Sequence, residues 1–289
     1  MTAIELMERT HALLQAGEMI YAARQTGLYQ IGEAGEAQNL YQRWRPGEDL
    51  PTLAVAVDAS RDLLLAGIHG GVARSTDGGR NWEAIAFRAP PPLVTCLALA
   101  PDSAGLGYIL AGSFEDGVFR STDGGKTWRA NNHGLFDHSV NCLALSPGFA
   151  DDSIVYAGTS SGIYRSENGG KLWRDKRMPA DDETVLSLAT SPDGAAIYAG
   201  TESHGLLHST DSGESWTRLL ETDSAVNAIA LAEDGTLVAQ VDDAARRSRD
   251  GGGTWSEIAA GGVDCLLLDE RGGQLILALS DGSLRRAAL

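Results

Sequence analysis

Positive charge is scarce in this chain. Its 23 Lys and Arg stand against 39 Asp and Glu, which gives a formal net charge of −16 at pH 7. A surface of that sign repels phosphate backbones and anionic lipid, so nucleic acid and a bare membrane surface are excluded as expected partners. No apolar run approaches the roughly 20 residues of a membrane-spanning helix, so no membrane insertion is expected. The opening stretch Met1-Thr2-Ala3-Ile4-Glu5-Leu6-Met7-Glu8 has neither a basic start nor an apolar core, so no export signal is expected. Cysteine is nearly absent, at three residues, an odd number that supports no disulfide framework. Together these absences point to a cytoplasmic protein. The Gly-Gly pairs sit in turns and not between a strand and a helix, so no phosphate cradle and no cofactor is expected.

Glycine is plentiful instead, at 35 residues, which suits a fold with frequent tight turns. Much of it belongs to one phrase, S-x-[DN]-x-G-x-x-W, which occurs five times. The copies place Ser75, Asp77 and Trp82, then Ser121, Asp123 and Trp128, then Ser166, Asn168 and Trp173, then Ser209, Asp211 and Trp216, then Ser248, Asp250 and Trp255. The tryptophans lie 46, 45, 43 and 39 residues apart, a period that indicates a propeller or solenoid. Ser and Asp oxygens accept hydrogen bonds from nearby backbone N–H groups and close a tight turn. Glycine supplies the positive φ, and the tryptophan then covers the turn.

The phrase resembles the Asp-box, or BNR repeat, of sialidase-like β-propellers. That resemblance implies a structural hairpin on the outer part of each blade. In architecture the chain is similar to single-domain propellers of the photosystem II assembly and stability factor type, which implies a scaffold. True sialidases carry an Arg-Ile-Pro motif and a three-arginine site. This sequence has no Arg-Ile-Pro, and Arg74, Arg120, Arg165 and Arg247 recur one residue before the turn serine, where blade-to-blade packing or salt bridges are expected.

Around each turn a four-strand unit repeats. Val94–Leu99 is an apolar inner strand A, Tyr108–Gly112 a strand B, Val118–Ser121 a strand C, and Lys126–Arg129 begins strand D. The fold class that follows is all-β, a seven-bladed propeller of four-stranded antiparallel blades in a single domain spanning 1–289. The blades run over 8–46, 51–87, 93–131, 139–176, 184–220, 225–259 and 262–289. The first unit lacks the turn phrase; its D strand is expected at Leu40–Trp44. The last unit lacks a D strand, which Thr2–Met7 is expected to supply and so close the ring. A helix over Ile4–Leu14 is the rival reading of the first unit. Cys96, Cys142 and Cys265 share one column with Ser187 and Ala228, a packing position that points to buried free thiols.

The loops that join D to A, and B to C, are the expected ligand face. Binding residues are expected at Phe87, Arg88, Phe114, His133, Phe136, Arg177 and Met178, where aromatic and cationic side chains combine in a composition typical of protein contacts. This pattern points to a non-enzymatic interaction scaffold. Its partner is another protein or protein complex, one suited to acidic character, and the ring itself is a monomer or one subunit of an assembly. The alternative is a glycan-binding or glycoside-hydrolase-like propeller with carboxylates from Glu115, Asp116 and Glu202 at the channel mouth. No catalytic residue is assigned. His69, His133, His138 and His204 fall in separate loops, so no metal site is expected.

Overall fold

The computed structural model describes residues 9–33, 35–87, 91–100, 107–180, 182–269 and 273–289. Seven antiparallel sheets stand side by side, six with four strands and the last with three among the described residues. In each sheet the strands follow sequence order A to D from the axis outward. The A strands (Thr10–Ala16, Ala54–Asp58, Leu93–Leu99, Val140–Leu145, Val185–Thr190, Val226–Leu231 and Val263–Leu268) each pack beside the next, and the seventh packs beside the first. The chain is a seven-bladed β-propeller.

The contact between blades rests on a repeating exchange of volume. The first valines of five A strands, Val94, Val140, Val185, Val226 and Val263, are 0–2% exposed. Four of them press on a glycine in strand B of the preceding blade. A Cβ on Gly112 would stand 2.6 Å from Val140 Cγ1, and one on Gly158 2.7 Å from Val185 Cγ1. The same space takes the cysteine paired across the sheet: a Cβ on Gly112 would lie 2.5 Å from Cys96 Sγ. The cysteines are free, and burial pushes the Cys96 thiol up to about 12 and the Cys265 thiol up to about 11. Where Ala228 replaces cysteine, Gln240 replaces glycine and its Nε2 donates to Val263 O at 2.9 Å.

Just after each first valine, five A strands carry a bulge, and a sixth carries one after Thr10. The extra residue reaches across to the neighbouring blade in three of them. Thr95 Oγ1 donates to Val140 O and Asn141 Nδ2 to Val185 O, while Asp264 Oδ2 accepts from Thr10 N. That last bond joins blades seven and one. Ile20, Ala22 and Ile31 packed on Ile276 strengthen the same junction.

The repeated turns form one hydrogen-bonded design. In the second copy Ser121 Oγ donates to Asp123 Oδ1 at 2.8 Å and accepts from Gly125 N at 2.9 Å; Asp123 Oδ1 accepts from the Lys126 and Thr127 N–H groups. Each copy also leans on the preceding blade, as where a Cβ on Gly125 would stand 2.9 Å from Leu65. The arginines before the turns divide two ways. Arg74 Nε donates to Gly124 O and Arg247 Nη1 to Ala288 O of the next blade, whereas Arg120 and Arg165 lie over Tyr108 and Tyr156 of their own.

Copies with aspartate have a side-chain donor four residues on (Asn81, Thr127, Ser215 or Thr254) that bonds the second carboxylate oxygen. The copy with Asn168 has Leu172 there, so an amide suffices. Burial would raise the Asp123 carboxyl, but hydrogen bonds from Thr127, Ser121 and Lys126 bring it down to about 2. Asp77 stands at about 2, held by the Asn81 backbone and side chain. These folded-state values lie below the ordinary 3.8, so their stabilisation is complete above that pH and is lost as pH falls toward 2. Acid titration of tryptophan fluorescence is expected to show unfolding in that window. Asp123→Asn should melt lower at neutral pH, because the amide nitrogen that replaces Oδ2 cannot accept from Thr127 Oγ1, yet lose less stability on acidification. An unchanged acid dependence would remove the turn from the account.

One strand assignment differs from the sequence pattern. Strand D of blade one is Ala37–Asn39 and not Leu40–Trp44. Leu40 and Tyr41 are buried instead, and Tyr41 meets the Trp82 ring of blade two edge-on at 5.1 Å. Residues 10–16 form a strand, which excludes a helix there. The expected pairing of Thr2–Met7 with blade seven lies outside the described residues.

Candidate functional site

The D–A and B–C connections emerge at one end of the ring and are tied to one another. Gly117 N donates to His138 O, Ser160 N to Ser139 O, Glu202 N to Thr184 O, Asp242 N to Ala225 O and Ser280 N to Gly262 O. Side chains add to this belt: Ser161 Oγ donates to Asp137 Oδ2, and Arg24 Nη2 to Gly282 O.

The 131–139 connection between blades three and four is held at several points. Asn132 accepts from Val118 N through Oδ1 and donates to Asp116 O through Nδ2, both at 2.8 Å. His133 O accepts from Trp173 N at 2.9 Å, and Leu135 is 3% exposed in the core of blades three and four. Gly134, at φ +79°, sits so close to the following blade that a Cβ would stand 2.2 Å from Trp173 O. On this fixed loop Phe136 is 86% exposed. A rigid backbone presenting an uncovered aromatic ring loses little entropy when a partner covers it. Phe114, 49% exposed, ends strand B of blade three, and its B–C turn is hydrogen-bonded to the same loop.

The other expected binding residues separate into two groups. His133 and Arg177 are exposed on the loop face. Phe87 and Met178 are not exposed contacts. Phe87 lies against Phe119 and Trp128, with ring centroids at 4.7 and 4.8 Å. Met178 packs against the buried cluster of blades four and five that includes Ile163, Val185 and Leu207. Both continue the two-residue alternation of the D strand before them, which turns them inward to the next blade. Arg88 lies outside the described residues. Glu115 and Asp116 belong to the B–C turn of blade three and Glu202 to that of blade five. Among the described residues no three His, Cys, Asp or Glu are grouped to hold a metal ion.

A carboxylate-anchored histidine was not legible beforehand. Glu183, 5% exposed, accepts from Ser203 N at 2.8 Å, from Ser203 Oγ at 2.9 Å and from His204 Nδ1 at 2.7 Å. Burial would raise its carboxyl, but these hydrogen bonds hold it below the usual range. The three residues come from two connections separated by strands A and B of blade five, and no local spacing announces them.

The charge of the face also departs from the cationic expectation. From blade three round to blade seven, the described D–A and B–C connections hold eleven carboxylates against one arginine, Arg177.

Residues 116–247, less than half the chain, match the Sortilin-Vps10 family (Sortilin, neurotensin receptor 3). A comparison with curated proteins finds no match. Among solved structures, the chain is similar to the extracellular domain of the putative one component system BT4673 from B. thetaiotaomicron (TM-score 0.79, 15% identity), covering 98% of this chain and 39% of that one. It is similar to the GH74 xyloglucanase from Xanthomonas campestris (TM-score 0.77, 17% identity, 96% and 52% covered). It is also similar to YCF48 in a structure bound to D1 peptide (TM-score 0.72, 17% identity, 97% and 93% covered). The chain thus spans about two fifths to one half of the first two proteins and nearly all of the third. Identities this low establish the propeller fold alone.

Proposed function

We propose that this protein is a non-enzymatic interaction scaffold, an Asp-box propeller that docks another protein on the loop face of blades three to five. The observation that carries the reading is Phe136: a ring 86% exposed on a loop whose backbone is fixed on both sides. Aromatic side chains, Phe among them, are enriched at protein interfaces, where a few buried anchors carry most of the binding energy. The structure of YCF48 with a peptide, on a propeller of similar length, supports the same use of the fold.

Phe136→Ala is expected to weaken partner capture by about tenfold or more, the loss of one interface anchor. Its melting temperature should stay within a degree or two of wild type, because an exposed ring contributes little to the core. Quantitative affinity capture from native cells, with wild type and variant side by side, tests this. Equal recovery of the same partners by both proteins would remove Phe136 from the interface.

A further inference from the structure

The exposed aromatics lie within a face of one charge, and that combination selects a partner. We propose that Phe114 and Phe136 seat a cationic protein segment, rich in Lys or Arg and carrying apolar side chains; this rests on the reading of the loop face as a docking surface. Both rings are open to solvent, and the connections around them are tied together by hydrogen bonds, so the face is formed before a partner arrives. An aromatic face attracts an ammonium or guanidinium group through its quadrupole.

The surrounding charge decides between occupants. Glu115, Asp182, Glu202, Asp223 and Asp243 are all exposed on these connections. None of the five is in an ion pair among the described residues. Elsewhere carboxylates do have cationic partners: Glu83 pairs with Arg74, Glu167 with Arg165 and Glu214 with Lys176, all on the C and D strands or the turns between them. Cations are thus concentrated toward the outside of the blades, and the loop face is left with unneutralised carboxylates. An acidic partner would bring like charges together over this arc, where among the described residues Arg177 is the one arginine on the connections and Arg218 of strand D pairs with Glu221. A cationic segment instead gains ion pairs and faster association.

The test uses short synthetic peptides on the full chain: one of Lys, Arg and Leu, and one with Glu in place of each cation, each followed by fluorescence anisotropy at low and high salt. The cationic peptide is expected to bind and the acidic one not, with binding weakened by salt. Because a chain this acidic attracts any polycation, the controlling comparison is between two variants of equal net charge. Glu115→Lys/Glu202→Lys reverses the loop face. Asp151→Lys/Glu233→Lys reverses exposed positions in A–B connections at the opposite end of the ring.

The first pair should weaken the cationic peptide by about tenfold and the second by less than about twofold. Phe136→Ala should also weaken it, with a similar salt dependence remaining. Equal effects of the two charge-reversal pairs, or failure of the cationic peptide to bind, would overturn the proposal. If Phe136→Ala abolishes native partner capture while Glu115→Lys/Glu202→Lys leaves capture and peptide binding unchanged, the docking face stands and its cationic occupant does not. If neither variant changes capture, the docking reading itself falls.

Discussion

Replacing Trp173 by alanine is expected to lower the unfolding free energy by about 3–5 kcal/mol, the range for truncating a buried aromatic. Trp173 is 2% exposed and joins Leu110, Val118, Val140 and Tyr164 in one cluster across blades three and four. Its Nε1 donates to Asn131 O of blade three at 2.8 Å, and its backbone N–H holds the loop that presents Phe136. Truncation would therefore empty a packed site, strand a carbonyl and loosen the candidate interface together. Trp216, in the equivalent place one blade on, is half-buried, and its Nε1 has no partner among the described residues. Urea unfolding should rank Trp173→Ala well above Trp216→Ala in cost. Equal losses would mean that the turn tryptophans serve their own hairpins and not the seam between blades. Partner capture by Trp173→Ala, measured where the protein remains folded, should also fall.

Gly112→Val is expected to cost about 3 kcal/mol, through overpacking and not through a lost contact. Any Cβ there meets Cys96 Sγ at 2.5 Å and Val140 Cγ1 at 2.6 Å. The strand cannot move away, because its backbone is paired on both sides, with Leu93–Leu99 and with Gly117–Ser121. A double-mutant cycle tests the cause. Cys96→Ala makes the space that Ala228 provides opposite Gln240 in blade six, so Gly112→Ala should cost less in the Cys96→Ala background than alone. Additive costs would place the strain elsewhere, with Val140 the remaining candidate.

The architecture was legible in the sequence because its determinants are local and repeated. A five-fold turn phrase whose serine, aspartate and glycine bond within a few residues needs no distant partner to be recognised. The regular spacing then set the number of blades, since each unit must bury its faces on the next. The small-residue column at Cys96, Cys142 and Cys265 and the glycines of four B strands, Gly67, Gly112, Gly158 and Gly200, were visible as patterns. Their reason was not: the valine that demands them comes from the following blade, more than 20 residues away.

The site was less legible for the same reason. Sequence showed that Phe87, Phe136 and Met178 stood in loops, but exposure is set by what lies opposite. Phe87 and Met178 keep the phase of their strands and meet the next blade, whereas buried Leu135 takes up the inward place in its loop and leaves Phe136 outside. The Glu183–His204 pair and the acidic sign of the loop face arise only when connections from different blades are brought to one end of the ring. Periodicity determined the ring and the turns that hold it, because those depend on neighbours in the chain. Which aromatic ring meets water, and which charge surrounds it, depended on neighbours in space.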